Sequence, residues 1–172
     1  MSEGPSNAER RAAYAAEARA RAEALYAGVL TPHRSCGIAL AETFGLPTPS
    51  YQALRKGGLT GAGPCGAIAA GLLVLGELLG DPSPTGPPTD ALKEAAGRYR
   101  EAIAAKIDLA VDTACNDRTA RFPTFASPAR LAYCTSLAAV VAETVAEVLW
   151  DAGAAHGHVP PAVPPAPWGS TG

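Results

Sequence analysis

Between Pro64 and Gly80 lies the stretch that most limits what this chain can fold into. Cys65 to Leu79 carries a single charged residue, Glu77, and has neither the alternation of a half-buried strand nor the polar stripe of a surface helix. A segment of that length and composition reads as a helix covered by neighbours on most sides. Gly66, Gly71 and Gly76 recur every five residues and so face different directions, which suggests several elements packed close against it. The apolar part, Ile68 to Leu79, is too short to span a bilayer.

The rest of the chain supplies helices to do the covering. Ser6 followed by Glu9 has the spacing of a capping box, and an alanine-rich helix is expected from there to about Tyr26. Thr31-Pro32 signals a second start, for a helix with Cys36, Leu40 and Phe44 on one stripe that stops at Gly45 and Pro47. A short turn is expected over Ser50 to Lys56, then a glycine-rich stretch from Gly57 to Gly63. Asp81 to Pro88 reads as a proline-rich surface loop, and Thr89 caps a long helix expected to reach Ala114, with Cys115 at its end. Asn116 to Ala126 has no periodicity but offers Phe122 and Phe125 as a cover for the core. Ser127-Pro128 opens a last helix with Leu131, Cys134, Ala138, Val141, Val145 and Val148 at three- and four-residue steps. No β-branched alternation appears.

The expected architecture is therefore all-α: a compact bundle of about five helices around a buried, Gly/Ala-rich central helix. Its organisation reads as an N-terminal alanine-rich helix (1–30), a four-cysteine helical domain (31–152) and a Pro-rich flexible tail (153–172). Hydrophobic residues make up 48% and charged residues 17% of the 172, enough for one globular core. Net charge is −2, which gives no electrostatic reason to expect nucleic acid or an anionic membrane as a partner. The N-terminus lacks the apolar core of a signal peptide, so a cytoplasmic location, where thiols stay reduced, is the expectation.

In that compartment four cysteines read as metal ligands, reactive thiols or core residues rather than as structural disulfides. Cys36 and Cys65 fall near helix starts, where unpaired N–H groups and the helix dipole favour thiolate. Thiolate is the form that attacks electrophiles and binds metals. Cys134 lies on the inward stripe of the last helix. No CxxC pair is present, so neither a zinc ribbon nor a thioredoxin-type dithiol is indicated. His33 precedes Cys36 by one helical turn and is a candidate to share a metal or a proton with it. His156 and His158 form a second, weaker histidine pair. Glu77 is read as reaching the surface, and Tyr133, Arg118 and Arg130 as candidate pocket residues that nothing sets apart. Phosphate loops, dinucleotide fingerprints, Ser/His/Asp arrangements and zinc-protease motifs are absent from the sequence.

Ser35-Cys36-Gly37 with Phe44-Gly45-Leu46, then Gly63-Pro64-Cys65-Gly66-Ala67 running into Gly71 and Gly76, then Cys115 and Tyr133-Cys134, resemble the redox-active C_GCAxxG_C_C family. The likeness extends from about His33 to Trp150 and keeps four cysteines in order. Asn116-Asp117-Arg118-Thr119 departs from the pattern by lacking the leucine and glycine expected there. The resemblance implies a helical fold and a redox or metal-linked role.

Three functions follow as expectations. The leading one is a redox-active protein, bacterial in type, whose Cys36, Cys65, Cys115 and Cys134 converge as an iron–sulfur or other thiolate-metal site, with His33 as an added ligand, or as dithiol/disulfide pairs. A second is an enzyme, an oxidoreductase if one is present, with Cys65 as nucleophile and Cys36 beside it. A third is a non-catalytic partner subunit with structural cysteines. A homodimer or a redox partner protein is the partner expected under these readings.

Overall fold

The computed structural model describes residues 4–29 and 31–164, and among them every regular element is helical. There are seven α-helical segments: α1 (Asn7–Ala27), α2 (Cys36–Thr43), α3 (Arg55–Gly58), α4 (Gly66–Leu79), α5 (Asp90–Lys106), α6 (Cys115–Thr119) and α7 (Pro128–His156). A 3₁₀ turn, Pro49–Leu54, links α2 to α3. The count exceeds the expected five because α3 and α6 are single turns, too short to leave a periodic signal.

Helix α1 starts where the capping box placed it. Glu9 N–H donates to the Ser6 hydroxyl, and the Glu9 carboxylate accepts from the Ser6 N–H at 2.7 Å. Its inner stripe is small, with Ala15, Ala18 and Ala22 buried. It therefore approaches closely the Ala138, Val141, Ala142 and Val145 stripe of α7. Arg11 grips both oxygens of Asp151, and Arg19 pairs with Glu143 at 2.8 Å. Positions rising along α1 thus meet positions falling along α7, so the two helices run antiparallel. Lys106–Glu147 and Glu94–His156 set α5 antiparallel to α7 in the same way.

Helix α4 packs against α2, α5 and α7, and Tyr99 of α5 rests on Gly71, donating to the Ile68 carbonyl at 2.8 Å. It is not covered all round, however: Leu72 and Leu73 are 41% and 45% exposed. Glu77 is exposed as read and accepts from the Tyr51 hydroxyl at 2.6 Å. By length and composition α7 also meets the test for a membrane-crossing helix, yet half of that window is buried in the bundle.

Two helix boundaries differ from expectation, and both differences move a cysteine. α2 begins at Cys36 and not at Thr31-Pro32, because the chain after Gly28 (φ +71°) runs irregularly until Ser35. α5 ends at Lys106 and not near Ala114, so Cys115 opens its own turn, α6. At the C-terminal end, α7 continues to His156 and Gly157 turns the chain back with φ +74°. The Pro161 and Pro164 carbonyls then accept from Tyr14 and Arg21 of α1. The part of the expected tail beyond residue 164 lies outside the described residues.

Candidate functional site

Three of the four cysteines stand where helices begin. Cys36 is the first residue of α2, Cys65 is the N-cap of α4, and Cys115 is the first residue of α6. Cys134 sits in the second turn of α7, four residues after Arg130 and so on the same face. All four line one cavity of about 450 Å³, and all four are free thiols. Residues nearly a hundred positions apart in sequence are gathered here by the crossing of α2, α4 and α7.

Backbone contacts hold this arrangement. Pro64 and Ala114 form an isolated antiparallel bridge, and the Cys115 N–H donates to the Gly63 carbonyl at 2.8 Å. That bridge seats the starts of α4 and α6 side by side. Gly66 lies so close to the 3₁₀ turn that a Cβ would stand 2.2 Å from the Leu54 carbonyl oxygen and 2.7 Å from the Cys36 sulfur. At Gly57 a Cβ would meet the Gly63 carbonyl oxygen at 2.6 Å and the Cys115 Cβ at 2.7 Å. The segment between them is wound left-handed: Lys56, Gly57, Gly58 and Leu59 all have positive φ. For Lys56 and Leu59 that conformation costs about 1 kcal/mol each. It brings the Lys56 amide near Cys36, where it helps the amides of Gly37 and Cys36 to oppose the upward push of burial on the thiol.

The thiols feel each other and their burial. Burial pushes Cys65 up to about 12, Cys36 adds to the rise, and the amides of Ile68 and Ala67 pull against it. Cys36 is raised by burial and by Cys134, against three amide contacts. Cys115 is raised by burial, then by Cys36 and Cys134, and lowered by Lys56 and Arg130. The thiolate expected at Cys65 from its place at a helix start is therefore not the resting form. Desolvation outweighs the helix terminus.

Among the described residues the charged groups around the sulfurs are all cations: Arg55, Lys56 and Arg130 line the cavity, and no Asp or Glu does. Arg130 is 9% exposed; its Nε donates to the Phe125 carbonyl, its Nη1 to the Tyr26 hydroxyl at 3.3 Å, and its plane lies 4.0 Å from the Phe125 ring centroid. Lys56 Nζ stands over the same ring at 5.1 Å. Tyr26 is driven far up by burial and by the charges of Cys134 and Cys36. His33 reaches the cavity lining, but its Nδ1 is engaged with the Tyr26 carbonyl and its ring meets Tyr26 edge-on. Ser35, the N-cap of α2, makes no capping bond, and its buried hydroxyl has no partner.

Sequence reasoning overlooked Ser35, Lys56, Tyr26 and Phe125, and did not set Arg130 apart from surface arginines. A signal for Arg130 was present in its spacing from Cys134 on a helix whose cap was already read. Arg118 and Tyr133 fall elsewhere, in a separate cluster with Asp108. His156 pairs with Glu94 and His158 is exposed, both far from the sulfurs in the fold. Among the described residues no group of three or more His, Cys, Asp or Glu side chains converges on a single metal ion. No family model, curated protein or solved structure matches the chain.

Proposed function

We propose that this is a redox protein whose Cys36, Cys65, Cys115 and Cys134 hold an iron–sulfur cluster. The observation that carries the reading is one cavity lined by four free thiols from four helices, with only cations among its charged lining groups in the described residues. Thiolates are the ligands such clusters take, and hydrogen bonds to the sulfurs, net charge and solvent exposure set their potentials. Here backbone amides near Cys36 and Cys65 favour their thiolates, and Lys56 and Arg130 do the same for Cys115. The resemblance to the C_GCAxxG_C_C family points to the same class of role.

Because burial holds the protons on three of the four thiols, loading must expel them, so cluster uptake should release protons and weaken as pH falls. A thiol held up to about 12 is a poor nucleophile at neutral pH, which counts against the reading of Cys65 as an attacking group. A dithiol/disulfide relay is the second reading, favoured by the Pro64–Ala114 bridge that sets Cys65 and Cys115 on adjacent backbones.

Anaerobic purification and reconstitution with ferrous iron and sulfide tests the proposal. The expected result is a brown protein with visible absorption, and a loss of most of that absorption in Cys65→Ser and Cys134→Ser. A colourless, iron-free protein whose four thiols titrate independently would overturn the cluster. In that case the appearance of one disulfide on mild oxidation would support the relay.

A further inference from the structure

The cavity carries groups that the four sulfurs do not use. Ser35 is 8% exposed and belongs to the cavity wall, and its buried Oγ has no hydrogen-bond partner among the described residues. An N-cap serine ordinarily accepts from the first turn of its helix; at α2 the Ser35 side chain makes no such bond. Arg130 spends Nε and Nη1 on Phe125 and Tyr26, and its Nη2 donates to no protein atom among the described residues. Lys56, an exposed residue, holds its Nζ over the Phe125 ring and pairs with no acid among the described residues. Two cations therefore share one aromatic ring, and among the described residues no carboxylate lines the cavity.

Buried hydroxyls and guanidinium groups are ordinarily satisfied, by protein, water or ligand. A guanidinium fork, an ammonium and a hydroxyl donor in a mostly apolar enclosure are complementary to an acceptor carrying negative charge on oxygen. The aliphatic remainder of the lining, including Ala27, Ala126, Leu131 and Leu137, lowers the local dielectric and strengthens such contacts.

We propose that the cavity binds a small oxyanion beside the thiols, with Arg130 and Lys56 balancing its charge and the Ser35 hydroxyl donating to it. That this anion is the substrate class of the redox site rests on the redox reading above; the binding itself does not.

The test uses the full chain, reduced and free of metal. Sulfate, phosphate and acetate are titrated calorimetrically at constant ionic strength against a chloride control. The expected result is one saturable site per chain for at least one oxyanion. Arg130→Met should weaken it at least tenfold, and Lys56→Asn and Ser35→Ala several-fold each. Lys56→Asn suits the left-handed backbone at that position, and Ser35 makes no capping bond, so these two carry the test should Arg130→Met fail to fold. No saturable binding above chloride, or binding indifferent to all three substitutions, would overturn the proposal. Cys134→Ser separates the two readings, because it should abolish iron uptake and leave oxyanion affinity within about twofold. Oxyanion binding in a wild-type chain that takes up no iron would sustain the anion site and sink the cluster. Iron uptake without oxyanion binding would do the reverse.

Discussion

Two buried arginines a few turns apart have opposite surroundings. Arg118, 2% exposed, sits among partners: Tyr133 accepts from Nη1, the Ala110 carbonyl accepts from Nη2 at 2.7 Å, and Asp108 stands 3.7 Å away. Asp108 is held below the usual carboxylate range because hydrogen bonds from Tyr133 and Arg121 outweigh the effect of its burial. In that cluster charge is answered by charge, although the Arg118 Nε is itself buried without a hydrogen-bond partner among the described residues. Arg130 is nearly as buried but has a ring, a carbonyl and a hydroxyl, and no acid. One arginine is part of the scaffold. The other carries charge that nothing within the described residues neutralises, and it does so beside four thiols.

The largest expected effect strikes the cavity wall. Gly66→Ala drives a methyl group into the Leu54 carbonyl and the Cys36 sulfur, and should cost roughly 3 kcal/mol or more in urea unfolding. A cost under about 1 kcal/mol would mean that the three elements are not pressed together as described. Next comes the arginine pair itself. Arg118→Met removes the bonds to Tyr133 and Ala110 and leaves Asp108 without its neighbour, and should cost about 2–3 kcal/mol. Arg130→Met removes a charge that is costly to bury, so in the metal-free, anion-free protein it should cost less than about 1 kcal/mol. Equal costs would erase the contrast.

A third effect depends on pH. Cys65 has a folded value near 12 against an ordinary 9.0, so folding favours its protonated form. The stability this contributes is complete below pH 9 and is lost as pH rises from there toward 12. Metal-free Cys65→Ala should therefore lose less stability than wild type between pH 9 and 11 in denaturant titrations, and thiolate absorbance should show one thiol ionising far later than the ordinary range. The smallest effect is at Ser35. Ser35→Ala in the empty protein should change stability by less than about 0.5 kcal/mol. Thr89→Ala, which removes a hydroxyl that accepts from Leu92 and donates to Leu79, should cost about 1 kcal/mol. A Ser35→Ala cost matching that of Thr89→Ala would show that the serine caps α2 after all.

The helical fold was legible because its signals are local. Ser6 with Glu9, Thr89 and Ser127-Pro128 each announce a cap, and each cap is formed. What misled was also local. Thr31-Pro32 has the chemistry of a helix start, but the turn after Gly28 delays α2 to Cys36. Alanines up to Ala105 suggested a helix running on past Lys106, whereas Ile107 to Ala114 turns back to reach the glycine loop. The convergence of the cysteines is an inference from inward stripes; in the structure all four line one cavity. The cations and the orphan hydroxyl around them were beyond reach, since their meaning lies in which partners they lack. That property appears only once every neighbour is known.

The left-handed run from Lys56 to Leu59 separates two properties that usually travel together. Both of those residues are exposed, and surface positions ordinarily accept nearly any side chain. Here a β-branched residue is refused on backbone grounds alone, while many interior alanines face only other small groups. A map of tolerated substitutions in this chain would thus show one of its least permissive spots in full view of solvent.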